Sequence, residues 1–244
     1  SDGLWEERKV GLPLFFRGLS KKLGADLIFL FFVKRNFEDV VLLNSAGSGL
    51  ILLFFFANML FVYFDFSGYT DMVRGSSKVM GINLPENFRN PLFKNNMREF
   101  WKNWHISLTQ WVNRVVFMPI SFSLRREGKI VAYALPVFLT TLSMGLFHGF
   151  QSVWIYWAIH HAVGIFLTDF ARKGHMIAQS YSKNPLSGFQ QSVGKFGFLF
   201  VWFWLMLSYT FTVVSDPVLS LELYSRILIA PVDLLFNMGI YFLE

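Results

Sequence analysis

Four nearly uncharged apolar runs set the limits on what this chain can fold into: "AGSGLILLFFFANMLFVYFDF" (46–66), "VAYALPVFLTTLSMGLFHGF" (131–150), "SVWIYWAIHHAVGIFLT" (152–168) and "VGKFGFLFVWFWLMLSYTFTVVS" (193–215). Each approaches or reaches the roughly 20 residues an α-helix needs to cross a bilayer core. Soluble domains are about a quarter charged; here only 16% of residues are, against 54% hydrophobic and a mean hydropathy of +0.43. The sequence therefore predicts an all-α, polytopic integral membrane protein, one transmembrane helical domain over residues 1–244.

Two further segments are weaker. "GADLIFLFFV" (24–33) is short enough to be re-entrant or interfacial, and "ILIAPVDLLFNMGIYFL" (227–243) is interrupted by Pro231 and Asp233. Residues 1–23 mix charge with apolar residues and read as an amphipathic, surface-lying element. "RNFEDV" marks an exit into water within a polar loop (34–47). The net charge of +6 sits in connections such as 72–102, 121–130 and 171–195. Basic loops face the cytoplasm, and anionic lipid accounts for them without nucleic acid. The expected location is the inner (cytoplasmic) membrane, crossed several times. With no cysteine, disulfides, thiolate metal sites and a cysteine nucleophile are excluded. The chain opens on Ser1 with neither an initiator Met nor a signal-peptide pattern, and is expected to be the C-terminal portion of a longer one.

Gly81, Pro85 and Pro91 punctuate an irregular stretch, after which Asn95 or Asn96 can cap a helix. On that helix Phe100, Trp104, Leu108 and Trp111 share one face, Trp101 and His105 extend the stripe, and Lys102, Asn103, Thr109 and Gln110 fill the other side. The pattern predicts a single helix at the membrane boundary.

Ionisable groups in membrane segments are costly and point to function. His148, in "MGLFHGF", is flanked by Gly145 and Gly149, which leave room for a backbone or a substrate chain. It reads either as a general base or as a histidine satisfied by a neighbouring carbonyl. His105 is either an interfacial anchor or part of the same site. Asp65 and Asp71 lie on different helix faces, and Asp71 with Arg74 reads as an intrahelical pair. His160 and His161 are adjacent and so point to different faces, at least one toward other helices or a polar cavity. No HExxH or similar spacing supports a metal, and none is expected.

Four blocks, in this order, carry a resemblance: "YFDFSGYTDMVRG" (63–75), "MGINLPENFRNPLF" (80–93), "EFWKNWHISLTQW" (99–111) and "GLFHG" (145–149). Together they resemble the membrane-bound O-acyltransferase family, in its bacterial branch of alginate and other polysaccharide O-acetyltransferases and teichoic acid D-alanyltransferases. The resemblance covers about residues 15–170. It implies a helical shell of short, broken and interfacial helices, with funnels reaching a buried histidine from both sides of the membrane. It implies that His148 is the catalytic base and that His105 orients the acceptor or supports His148. Substrate contacts fall to Tyr69 and Asp71 in the first block and to Trp101, Asn103, Trp104 and Ser107 in the third. No bound cofactor is implied. An acyl thioester donor, acetyl-CoA or an acyl carrier protein, serves as co-substrate at the cytoplasmic face, and an extracytoplasmic transferase is an expected partner. Where the bacterial branch carries an Arg-Asp pair after the tryptophan, this chain has Val112-Asn113-Arg114.

The resulting expectation is transfer of a small acyl group, acetyl first, to hydroxyls of a cell-surface polysaccharide, with D-alanyl transfer to teichoic acid as the alternative. A transporter or channel subunit using membrane histidines, or a scaffold without catalysis, are the readings from other classes.

Overall fold

The computed structural model describes residues 2–37, 47–181 and 196–241, which are helical with no strand among them. Most of the polar loop at 34–47, Lys183, Lys195 and the start of the fourth apolar run lie outside the described residues. The chain divides into two compact units, Ser1–Asn87 with Val218–Glu244, and Phe88–Pro217.

The first unit is built on two paired helices. α1 (Asp2–Ile28) runs past Pro13 and continues without interruption as a π-helical stretch, Phe29–Lys34. The surface element and the separate short apolar segment expected from the sequence are therefore one rod. Its partner, α2 (Ser48–Val79), supplies the reason. A Cβ at Gly18 would lie 2.6 Å from the Gly68 carbonyl oxygen, and one at Gly75 would lie 2.7 Å from that of Gly11. Small residues one heptad apart on both helices thus bring the two backbones into contact, the device by which helices pack in lipid.

Between these glycine contacts the helices are joined by charge. Asp71, 5% exposed, accepts from Arg17 Nε and Nη2 at 3.1 Å each and from Lys21 Nζ at 2.8 Å. Arg74 stands farther off, at 3.7 Å. The expected Asp71–Arg74 pair exists, but the main partners come from the other helix. Lys22 pairs with Asp65, six residues before Asp71 on α2. A buried carboxylate is costly unless paired and hydrogen-bonded, and Asp71 is both.

The last helix, Pro217–Tyr241, passes through Pro231 and Asp233 unbroken, where the sequence predicted an interruption. Ser48 donates its hydroxyl to the Asp233 carboxylate at 3.0 Å, so that the charge is partnered within the same unit.

In the second unit, a 3-10 turn (Pro91–Phe93) precedes α3 (Met97–Asn103) and α4 (Ile106–Val112). A π-helical turn (Asn113–Phe117) and α5 (Met118–Ser123) follow. α6 (Lys129–His148) and α7 (Ser152–Tyr181) form a hairpin through residues 149–151, and α8 (Gly197–Val213) packs on α7. The α7–α8 contact is specific. The His160 ring stacks on Trp204 (centroids 4.3 Å, 14° between planes), and its Nε2 lies 2.9 Å from the Trp204 carbonyl oxygen. On α8, the Trp202 indole N–H donates to Leu92 O at 2.7 Å, tying that helix to the 3-10 turn.

Among the described residues two helices are long and apolar enough to cross a membrane, Ser48–Val79 and Ile130–His148. The third predicted span lies inside the longer α7, where His160, His161, Trp154, Tyr156, Trp157 and Asp169 dilute its hydropathy. The fourth is the shorter apolar helix Gly197–Val213.

Candidate active site

Asn96 caps α3 as predicted, its side-chain oxygen accepting from the Glu99 N–H at 2.8 Å. The single helix expected beyond it does not form. α3 stops at Asn103, Trp104 is extended, and His105 takes the left-handed conformation at φ 44°, ψ 56° before α4 begins. A non-glycine residue there costs on the order of 1–2 kcal/mol and persists where the surroundings over-determine it. The surroundings are visible. The Asn103 amide donates to Glu99 O at 2.7 Å, Asn103 O accepts from the Arg89 N–H at 3.1 Å, and Thr109 Oγ1 donates to Trp104 O at 3.0 Å. Trp104 stacks on Phe100 and meets Phe88 edge-on, at 5.4 and 5.0 Å. Trp101, buried, turns the other way, its ring 5.7 Å from Trp157 and 5.1 Å from His161. Trp111, expected on the same face as Trp104, is 58% exposed. Ser107 is half-buried at the start of α4.

Desolvation holds His105 below the ordinary histidine range, and the charge His148 would carry lowers it further. His105 is therefore a neutral hydrogen-bonding group near pH 7, close enough to His148 to feel its protonation.

His148 is the last residue of α6 and is exposed. The space left by its flanking glycines is filled from α7 rather than left for substrate. A Cβ at Gly145 would lie 2.6 Å from Trp154 O, and one at Gly149 would lie 3.1 Å from Trp154 Nε1. The Trp154 indole stacks on the His148 ring at 4.8 Å and 21°, and Trp157 meets it edge-on at 6.2 Å. Trp157 also contacts His161 at 4.2 Å, so an aromatic chain runs from His148 through Trp157 to His161 and Trp101.

A cavity of about 380 Å³ lies between α3–α4, the adjoining π turn and α6. Val137, Thr141 and Met144 line it and share the α6 face that His148 continues one turn farther on. That places Met144 about 6 Å along the axis from the histidine. Gln110 and Asn113 bring amides to the cavity, Thr109, Thr140 and Thr141 hydroxyls, and Arg98 and Lys102 positive charge.

Arg98 was read from the sequence only as part of a basic loop. It donates through Nε to both Asp169 oxygens, at 3.1 and 2.9 Å, and through Nη2 to Tyr133 OH at 2.9 Å, while Tyr133 OH donates to Asp169. This cluster joins α3, α6 and α7 beside the cavity. The available signal was that Asp169 is the only acidic residue between 130 and 181.

The structure thus gathers His148, His105, Trp101, Trp104, Asn103 and Ser107 in one unit. Tyr69, 56% exposed, and Asp71, held by Arg17 and Lys21, belong to the other.

The bend yields a test that separates backbone from side chain. His105→Gly removes both the ring and the left-handed strain, whereas His105→Ala removes the ring alone. His105→Gly is expected to be more stable than His105→Ala by about 1 kcal/mol in thermal unfolding. Equal midpoints for the two variants would mean that the left-handed backbone at this position carries no strain.

The chain was compared with known proteins. The model of "MBOAT, membrane-bound O-acyltransferase family" matches residues 8–212. The teichoic acid D-alanyltransferase of Bacillus subtilis (strain 168) is 33% identical over 126 residues, 50% of this chain and 32% of that protein. A protein of Pseudomonas syringae pv. tomato named probable alginate O-acetylase AlgI is 40% identical over 102 residues, 42% of this chain and 19% of its own. The peptidoglycan O-acetyltransferase of Helicobacter pylori is 29% identical over 156 residues, 64% of this chain and 28% of its own. The chain thus spans about a third or less of the length of these relatives. With the family model covering most of its residues, this chain belongs to the membrane-bound O-acyltransferase family.

Proposed function

We propose that this chain carries the reaction centre of an O-acyl transfer, in which a small acyl group, acetyl first, passes from a thioester to hydroxyls of a cell-surface polysaccharide. The observation that supports the reading is His148, exposed at the end of a span-length helix, in the same unit as a neutral His105 fixed by a backbone bend and within electrostatic range of it.

A ring nitrogen of His148 takes the acceptor hydroxyl proton as the oxygen–carbonyl bond forms. The carbon–sulfur bond then breaks, and the departing thiolate recovers the proton from the imidazolium. A base and a positioned donor suffice. The cavity suits the donor arm, since its amides and hydroxyls match an amide-bearing chain, while Arg98 is committed to Asp169 and Lys102 to Glu99. The donor, acyl-CoA or an acyl carrier protein, would enter from the cytoplasmic face of a multi-pass inner-membrane protein, with an extracytoplasmic transferase finishing delivery.

D-alanyl transfer is the second reading, favoured by the similarity to the Bacillus D-alanyltransferase. Two acetylating relatives, one of them aligned over 64% of the chain, favour acetyl. The test is to delete the gene in its host, release base-labile esters from the surface polymers and identify the acyl group by mass. Lost acetate is the expected result, lost D-alanine would establish the second reading, and unchanged esters would overturn both.

A further inference from the structure

We infer that Trp154 is a positioning residue whose indole face holds the His148 imidazole and stabilises the positive charge it acquires when it takes the acceptor proton. The inference rests on the reading of His148 as the base.

The two rings stack at 4.8 Å and 21°, face to face rather than edge to face. A cation within about 6 Å of an aromatic centroid and over its face is attracted by the ring quadrupole, most strongly for tryptophan and more strongly away from water. Neutral imidazole gains far less from such a contact. The attraction is therefore stronger in the transition state, where the proton has moved, than before it, which is the condition for acceleration.

The fold also holds the indole in place. Val153, 1% exposed, anchors the start of α7, and the Trp154 N–H donates to Gln151 O at 3.1 Å in the turn. Gly145 admits the Trp154 backbone against α6, and Gly149 leaves the indole nitrogen the space a Cβ would crowd. Trp157 also meets the imidazole, at 6.2 Å and with 64° between the planes rather than stacked.

The test uses the full-length protein in its native host, with tryptophan at 154 replaced site-specifically by 5-fluoro-, 5,7-difluoro- and tetrafluorotryptophan. Fluorination withdraws the ring quadrupole while nearly preserving shape. The initial rate of base-labile ester formation is expected to fall stepwise, about tenfold from tryptophan to the tetrafluoro analogue. Trp154→Leu should lose at least as much, at unchanged protein level and thermal midpoint for the fluorinated series. A flat series, with Trp154→Leu still impaired, would reduce Trp154 to packing and overturn the inference. His148→Ala is run alongside. If it abolishes ester formation while the series stays flat, only this inference fails; if it leaves ester formation intact, the base assignment fails and takes the inference with it.

Discussion

Replacing His148 with glutamine is expected to lower acyl transfer by about 10²–10⁴-fold, the usual contribution of a positioned acid–base group, while the protein accumulates in the membrane at its normal level. Glutamine retains much of the size and both hydrogen-bonding senses of imidazole but cannot accept a proton near neutral pH. Stability should change little, because the ring is exposed at the end of α6 and its main contact is one face of Trp154. Exposed substitutions of this kind usually stay within about 0.5 kcal/mol. His160 provides the contrast. It is 6% exposed, stacked on Trp204 and in contact with that residue's carbonyl oxygen, so losing it disturbs the α7–α8 junction rather than the chemistry. The measurement is the initial rate of base-labile ester formation in the native host, normalised to the protein detected in membranes. A His148→Gln rate within a few-fold of wild type would remove this residue from catalysis and leave the cavity beside it without a base.

The sequence announced some of this and concealed the rest, for physical reasons that differ by element. The helices at 48–79, 130–148 and 197–213 follow from runs too apolar for anything but a membrane or a buried core. The cap at Asn96 is a local hydrogen bond, readable from residue type and position. The break at His105 left no such trace. Phe100, Trp104 and Leu108 keep helical spacing straight across it, and what forces the bend is a set of contacts with residues such as Arg89 and Phe88 outside the helix. Helical periodicity is a statement about one face of one element, and it is blind to a pivot that preserves the apolar pattern. The same limit hid the union of residues 2–34, because the change from mixed to apolar composition at residue 24 suggests two elements where packing on α2 makes one. It also hid the Arg98–Asp169 pair, whose partners are 71 positions apart. The glycines beside His148 were noticed for the right reason, that something comes close; only the structure identifies it as Trp154.

The second large effect is expected far from any chemistry. Gly18→Leu should sharply reduce the folded protein recovered from membranes, whereas Gly24→Leu, on the same helix, should be tolerated. In both cases leucine is the better helix former, by close to 1 kcal/mol, so the difference isolates packing. At Gly24 a Cβ meets nothing within 4 Å. At Gly18 it would sit 2.6 Å from both Gly68 O and Met72 N, which are backbone atoms that cannot swing aside. The helices must separate to admit it, and separation strains the charges that bridge them. Arg17 and Lys21 on α1 are what neutralise Asp71 on α2, whose side chain is only 7% exposed. Depriving a buried ion pair of a partner costs about 3–5 kcal/mol, in addition to the roughly 1–3 kcal/mol of overpacking. A penalty of that size consumes much of the 5–15 kcal/mol typical of a folded domain. Thermal unfolding in detergent, followed by retention of a monodisperse species, reads the difference directly. Equal midpoints for the two variants would mean that the α1–α2 contact is looser than its glycines imply. A collapse confined to Gly18→Leu would show instead that α1 and α2 are held together by backbone contact and one buried carboxylate, neither of which hydropathy can register.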